Sequence, residues 1–511
     1  MDKRKGILNV SVSVGFKIIT MIMVIVVKRF LIKICGNDVN GLNALYLSII
    51  GFLSVAELGV GSAISFCMYK PIVEGDNHMV SALYHLFRRV YLIVGGIMLL
   101  GGMAITPFLD VFAKDYDQLD VNLYVTFFLM LVSVVVTYLF SCKTSLINAY
   151  KNNYITTSIS SCGILLQYVL QIIVLLTTGS FEWYLVCRIV VALLQWVATD
   201  VVARKKYLPI LTNECKLQGA GKTEVIKNIK AMFMHKIGYM LVNTVDSIVI
   251  SMFVGVVALG GYSNYTMILT SLTEVIKLVF TSLTSVLGHL YAESNKETAK
   301  KYSEAFHLLN FVLGAVFFLG YYAVADNLIA ILFSADLVAA KSVLFVITMN
   351  GFVQFLRQST LIFREATGTF YNDRWKPLAE GIINIILSVM FVQWIGVAGV
   401  IVATIITNLF ICHVVEPFVL YKHAFNVSPQ SYYFQNYGMV AMFTAALVTL
   451  EFCMQKHSNL WVELLINGFI SVGISIAACL VMLLINRKLS KEILEKIKSG
   501  LRKNKFAEKH P

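Results

Sequence analysis

Fourteen apolar stretches, each long enough to cross a bilayer, run along this chain, and its first half echoes its second at an offset of about 219 residues. A hydrocarbon core about 30 Å thick needs roughly 20 apolar residues per helix. The stretches are 9–32, 42–68, 83–107, 121–142, 154–178, 183–203, 231–254, 262–288, 304–324, 340–363, 377–395, 397–418, 436–454 and 462–485. The narrowest division falls at Trp394-Ile395-Gly396, where two stretches nearly touch. Only helices or closed barrels satisfy the backbone in lipid. Continuous apolar runs fit helices, because barrel strands alternate. The expected fold is therefore an all-α integral membrane protein of about 14 transmembrane helices.

Composition agrees. The 511 residues are 58% apolar and 14% charged, against about 25% charged in soluble domains. The nine cysteines are scattered without a CxxC pair, so they read as small buried apolar residues with no disulfide or metal pattern. No cleavable signal peptide is evident, since Met-Asp-Lys-Arg-Lys precedes a span of full length.

Basic residues orient the spans. Lys3, Arg4 and Lys5 precede the first, the segment 204–230 carries seven Lys/Arg, and the tail from Arg487 is rich in lysine. The opposite loops hold Asp110, Asp115, Asp117 and Asp120. The positive-inside rule puts both termini in the cytosol of a multi-pass protein of the cytoplasmic membrane. The net charge of +13 then faces anionic lipid at the inner leaflet, and no basic soluble domain exists to hold nucleic acid. Residues 489–506 place Leu489, Ile493, Leu494, Ile497 and Leu501 on one face, the pattern of an amphipathic helix on a membrane surface.

The internal echo pairs Lys17 with Lys236, Gly36 with Gly255, Gly41 with Gly260, Tyr46 with Tyr265, Glu74 with Glu293 and Gly95 with Gly314. Six spans separate each pair, so the halves share orientation and form a parallel repeat, a common build of transporters with a site between the halves. The expected organisation is a six-helix lobe at 1–208, a basic linker at 209–230, a second six-helix lobe at 231–425, helices 13 and 14 at 426–486, and a basic tail at 487–511.

Ionisable groups inside spans are costly and face a cavity or a partner. Lys236, Tyr239, Asn243 and Asp246 share one face of span 7. Thr266, Thr270, Thr273, Lys277, Thr281 and Thr284 stripe span 8, and Asn350, Gln354, Arg357 and Arg364 stripe span 10. Ser54, Glu57, Ser62 and Ser65 follow a looser stripe on span 2. These stripes predict a wet cavity of positive bias, with Lys17, Glu57, Lys236, Asn243, Lys277 and Arg357 as substrate-binding candidates. Arg grips phosphate with two bonds, whereas Lys acts as a point charge. Lys28, Arg29 and Arg364 lie where long basic side chains snorkel to an interface. Glu380 and Asn384, four residues apart on span 11, and Thr404 and Thr407 on span 12 offer oxygen ligands. With Asp246 they are the candidates for coupling to Na⁺ or H⁺, the alternative being a cluster that packs helices. No other cofactor, catalytic group or firm metal site is indicated. The chain contains no G-x-x-x-x-G-K-[ST] and no domain large enough for a nucleotide fold, so any drive comes from gradients or the membrane potential.

Particular runs resemble a known family. Gly36-Asn-Asp-Val-Asn-Gly-Leu-Asn-Ala-Leu-Tyr, Leu53-Ser-Val-Ala-Glu-Leu-Gly-Val-Gly-Ser-Ala-Ile and Tyr69-Lys-Pro-Ile resemble the first two helices of bacterial oligosaccharide flippases. These are polysaccharide transporters of the MOP superfamily, which also includes MATE drug exporters and the lipid II flippase. Val245-Asp-Ser-Ile-Val-Ile-Ser, Gly261-Tyr-Ser-Asn-Tyr and Asp373-Arg-Trp-Lys-Pro-Leu-Ala-Glu-Gly-Ile-Ile-Asn are similar to the second lobe. The resemblance implies two lobes in a V around a cavity lined by helices 1, 2, 7 and 8. It implies a monomer that flips an undecaprenyl-pyrophosphate-linked oligosaccharide between leaflets by alternating access, beside a polysaccharide polymerase and chain-length machinery. It also implies an ion site to which Asp246 and Glu380 correspond. The rivals are a MATE-like exporter of small organic molecules, which calls for a cavity of carboxylates and aromatics, and a membrane glycosyltransferase, which calls for a sizeable domain that no loop supplies.

The orientation is testable. Alkaline phosphatase fused after residue 486 is expected to be inactive and a green fluorescent protein there to be bright; the reverse pattern would put the C-terminus outside.

Overall fold

Two glycines at repeat-related positions begin the helices that anchor the first unit. In the computed structural model, Gly36 and Gly255 both take positive φ, +95° and +121°, a conformation that side chains with a Cβ rarely adopt. Each breaks one helix and starts the next. Lys3–Cys35 (α1) is followed by Asn37–Leu53 (α2), and Thr244–Phe253 by Val256–Glu293. The sequence echo thus corresponds to equal local geometry.

The structure describes residues 3–54, 60–116, 119–213, 244–293, 296–487 and 489–490, and their side chains except at 3–14, 60–66, 275, 277–290, 292–293 and 370–371. After α1 and α2 come Val60–Glu74 (α3), Asn77–Ile105 (α4), Leu123–Ala149 (α5), Asn153–Thr178 (α6), Phe181–Thr212 (α7), Thr244–Phe253 (α8) and Val256–Glu293 (α9). There follow Lys296–Leu332 (α10), Lys341–Leu356 (α11), Gln358–Thr367 (α12), Lys376–Thr407 (α13), His413–Leu420 (α14), Gln430–Cys453 (α15) and Leu460–Ile485 (α16). No strand occurs among the described residues. Among the described residues, eight helical runs are long and apolar enough to span a bilayer, and their outward surfaces carry large apolar residues such as Ile97, Leu176, Phe469 and Leu484. The chain is an all-α, multi-pass membrane protein. The amphipathic tail beyond residue 490 and the basic segment 214–230 lie outside the described residues.

The chain divides into two compact units, Met1–Ser263 and Asn264–Pro511. In the first, the starts of α2 and α9 meet. Asn37 Nδ2 donates to Val257 O (3.1 Å), and Asn40 Nδ2 to Gly260 O (3.2 Å) and Ser263 Oγ (3.3 Å). Lys28 Nζ, half-buried, donates to Ser263 Oγ at 2.9 Å. Close approach depends on absent side chains. A Cβ on Gly41 would stand 1.8 Å from Val256 O, and one on Gly260 2.3 Å from Asn37 O. In the same unit Tyr46, fully buried, gives its hydroxyl proton to Leu123 O at 2.7 Å.

In the second unit the two spans flanking Trp394-Ile395-Gly396 form a hairpin. Ile395 (φ −129°) and Gly396 (φ +58°) leave helical geometry, and a Cβ on Gly399 would fall 2.2 Å from Phe391 O. The arms lie side by side, with Asn384 bonded to Thr404 and Lys376 to Glu416. α11 and α12 are also one span with a break at Arg357. Buried Asn310 of α10 donates to the carbonyls of Phe355 (2.7 Å) and Leu356 (3.1 Å), satisfying acceptors there that lipid could not satisfy.

Gly41→Ala and Gly260→Ala are expected to destabilise the protein by about 1–3 kcal/mol or more through overpacking. Gly261→Ala, with open space at its Cβ, is expected to be neutral or to stabilise by up to about 1 kcal/mol. Thermal unfolding in one detergent ranks the three, and equal melting would contradict the close approach.

Candidate functional site: a buried charge network

Six charged side chains from four elements of the second unit converge around Glu416. Glu416 is 1% exposed on α14, so it must find cations or neutralise. Arg357, at the α11–α12 break, donates Nε to Glu416 Oε2 (2.8 Å) and Nη2 to Oε1 (2.6 Å). This two-bond grip is the strong form of an Arg–carboxylate pair. Lys376, at the start of α13, places Nζ 2.6 Å from Glu416 Oε1 and 2.9 Å from Glu380 Oε2. Arg364 lies 3.3 Å from Glu416 and pairs with Asp373 in the turn before α13. Three cations thus face three carboxylates.

Polar neighbours complete the set. Asn408 Oδ1 accepts from Arg357 Nη1 at 3.1 Å, and Cys412 Sγ from Lys376 Nζ at 3.3 Å. Side-chain exposure is 8% or less at Arg364, Asp373, Lys376, Glu380 and Glu416, but 20% at Arg357. The guanidinium is therefore held along one edge and partly open along the other.

The hairpin carries a second polar group. Asn384 Nδ2 donates to Thr404 Oγ1 (2.9 Å) and Thr407 Oγ1 (3.4 Å). Asn384 Oδ1 and Ser388 Oγ, four residues on, are buried without a hydrogen-bond partner among the described residues. These oxygens suit a small cation. Glu380 is already matched by Lys376 and lies 3.7 Å from Arg357, so its charge is committed to the network.

The structure accordingly brings Arg357 and Glu380 together, and Asn384 and Thr404 together. Asp246 is buried on α8 in the first unit, and Lys17 is exposed on α1. Lys277 lies on α9, with its side chain outside the description. Glu57, Lys236 and Asn243 lie outside the described residues. Arg364, expected to snorkel, is instead 7% exposed, because Asp373 and Glu416 give it a closer partner than an interface would. Sequence reasoning missed Glu416, which sits alone in the apolar run His413-Val-Val-Glu-Pro. An intramembrane carboxylate by itself demands a cation, and that signal could have found it.

No family model matches the chain, and no curated protein matches it in sequence. Solved structures do match in fold. The inward-closed conformation of the lipid II flippase MurJ aligns with TM-score 0.66 at 13% identity, covering 94% of this chain and 99% of that one. An inward-facing multidrug resistance MATE family transporter of the MOP superfamily aligns with TM-score 0.60 at 14% identity, over 85% and 98%. The MATE multidrug transporter DinF-BH in complex with R6G aligns with TM-score 0.56 at 13% identity, over 84% and 97%. The chain has the fold of MOP-superfamily transporters.

Glu416→Gln leaves buried cations underpaired and is expected to destabilise the protein by about 3–5 kcal/mol. Lys301→Ala, which removes an exposed pair with Glu297, is expected to cost at most about 1 kcal/mol. Melting curves of the two variants check the contrast, and equal effects would mean that the network is not a stabilising unit.

Proposed function

We propose, on the premise of the MOP fold, that this chain is a flippase rather than an enzyme. Its cargo is an undecaprenyl-pyrophosphate-linked oligosaccharide, turned across the cytoplasmic membrane for assembly of a surface polysaccharide such as capsule or exopolysaccharide. The observation that carries the reading is the prepared guanidinium of Arg357. Glu416 and Asn408 fix its orientation while an edge stays accessible. A pyrophosphate is the ligand that such a fork grips best. The basic character of α1 adds support, with Lys17, Lys28, Arg29 and Lys33 and no carboxylate along the helix. The flippase likeness over nearly the whole chain supports a lipid-linked cargo.

In this reading the cargo is carried by alternating access between two six-helix lobes, with both termini cytosolic and the lipid tail left in the bilayer. Lys236, Lys277, Asn243 and Glu57 join Arg357 and Lys17 along the cargo path. The last two spans, α15 and α16, guide the tail, and the protein works as a monomer beside a polymerase and chain-length machinery. For coupling, Asn384 and Thr404 would hold Na⁺, or Asp246 would carry a proton; the orphaned Asn384 Oδ1 fits the first. The second reading, an exporter of small organic molecules, draws on the MATE likeness. An organic cation would call for open carboxylates, and Glu380 and Glu416 are both neutralised by cations.

Removal of the gene from its host tests the reading. Surface polymer is expected to fall while undecaprenyl-linked oligosaccharide accumulates in the membrane. An unchanged polymer and lipid pool, in a host without a second such transporter, would move the assignment to small-molecule export. Arg357→Lys, which keeps charge and loses the fork, is expected to complement such a strain at least about tenfold less well at equal protein level.

A further inference from the structure

The first unit contains a cavity of about 360 Å³ among α4, α5, α6 and α7, within the size range of small-molecule pockets, about 300–1,000 Å³. Its lining carries no charged residue. Tyr91 and Phe140 supply two rings, and Thr137, Ser141, Thr144, Ser145, Thr156, Ser160 and Thr199 supply hydroxyls, with the amide of Gln195. The nearest charges in sequence are paired to one another, since Lys143 and Arg204 both bond to Asp200.

The hydroxyls differ in what they can offer. Ser141 and Thr144 donate back to Thr137 O (2.9 Å) and Phe140 O (3.3 Å), and Thr137 to Val134 O (2.7 Å). Their protons are committed, so each presents oxygen lone pairs. Gln195 Nε2 donates to Ser160 O at 3.2 Å, which leaves its carbonyl oxygen as an acceptor. Ser145 and Thr199, 8% and 2% exposed, have no hydrogen-bond partner among the described residues and can act both ways. A glycine makes room for the amide: a Cβ on Gly163 would stand 2.0 Å from Gln195 Nε2.

From this lining we propose that the cavity is a binding site for a neutral sugar residue. Sugar hydroxyls donate to committed oxygens and accept from Ser145 and Thr199. The apolar C–H face of the ring lies against Tyr91 or Phe140, whose faces are the negative part of the ring quadrupole. A cation would lack a counter-charge here, an anion would meet a wall of lone pairs, and a water cluster would have no use for the rings. The site is separate from the charge network, and its assignment does not depend on what the protein transports.

The test uses the full-length protein in lipid nanodiscs free of sugar detergent. Saturation-transfer NMR is recorded with methyl galactopyranoside, methyl glucopyranoside, choline and glucuronate as probes. Transfer to at least one neutral glycoside is expected, with little to choline or glucuronate. Thr199→Val keeps the shape and removes the hydroxyl, and it is expected to weaken binding about fivefold, the scale of one hydrogen bond. Gly163→Ala pushes the Gln195 amide and is expected to weaken it at least as much, with melting curves confirming that both variants fold. No transfer to either neutral glycoside would overturn the proposal, as would choline or glucuronate outcompeting them, or undiminished transfer in Thr199→Val. Because the readout is binding and not flipping, failure here and failure of the flippase reading are told apart.

Discussion

A carboxylate with almost no exposure, set in a helical bundle, cannot remain charged without cations, and Glu416 meets that requirement with three. Each comes from a different irregularity. Arg357 stands at a helix break, Arg364 on the short helix after it, and Lys376 at the head of a hairpin. Those irregularities would be unfavourable in lipid on their own. Linked through Glu416, with Asn310 capping the broken turn, they become mutually necessary. The network fixes how α11, α12, the hairpin and α14 pack, and it leaves Arg357 as its most open member. On the proposed reading, stability and cargo recognition would meet in this one side chain. An arginine free of Glu416 would lose orientation, and one fully enclosed by carboxylates would have no edge for a phosphate.

The fold was largely legible because lipid imposes long apolar runs. Where the residues are described, the expected spans fall on helices apart from a few end residues and the break at Arg357, and the narrow division at Trp394–Gly396 is a true reversal marked by a glycine of positive φ. The matching glycines of the echo were legible for a related reason. Gly36, Gly41, Gly255 and Gly260 occupy positions where a Cβ is strained or meets backbone, so their matching spacing carried structural meaning. The site was only partly legible. Helical spacing put Glu380 with Asn384, and Thr404 with Thr407, but it assigns a face and not a partner across elements. Hence nothing in the spacing points to Glu416, and Arg364 reads from sequence as a snorkelling residue although its partners lie on a neighbouring turn and on α14. The hydroxyl cavity was also invisible in the sequence. Its Ser and Thr residues look like ordinary helix-packing groups until four helices gather them and Gly163 admits Gln195.

The two units divide the chemistry. The second concentrates fixed charge in matched form, and the first combines a basic α1 with an uncharged pocket of hydroxyls and rings. On the proposed reading, a pyrophosphate suits the charge network and a neutral sugar the hydroxyl pocket, whereas a small organic cation suits neither.

The central claim is transport of a lipid-linked, pyrophosphate-bearing glycan. The most direct measurement reconstitutes the purified protein in liposomes carrying undecaprenyl-pyrophosphate oligosaccharide on one leaflet and follows exposure of the glycan to an impermeant lectin on the other. The account predicts translocation that depends on the protein and falls at least about tenfold in Arg357→Lys. No translocation in vesicles where the same preparation exports an organic cation would contradict it.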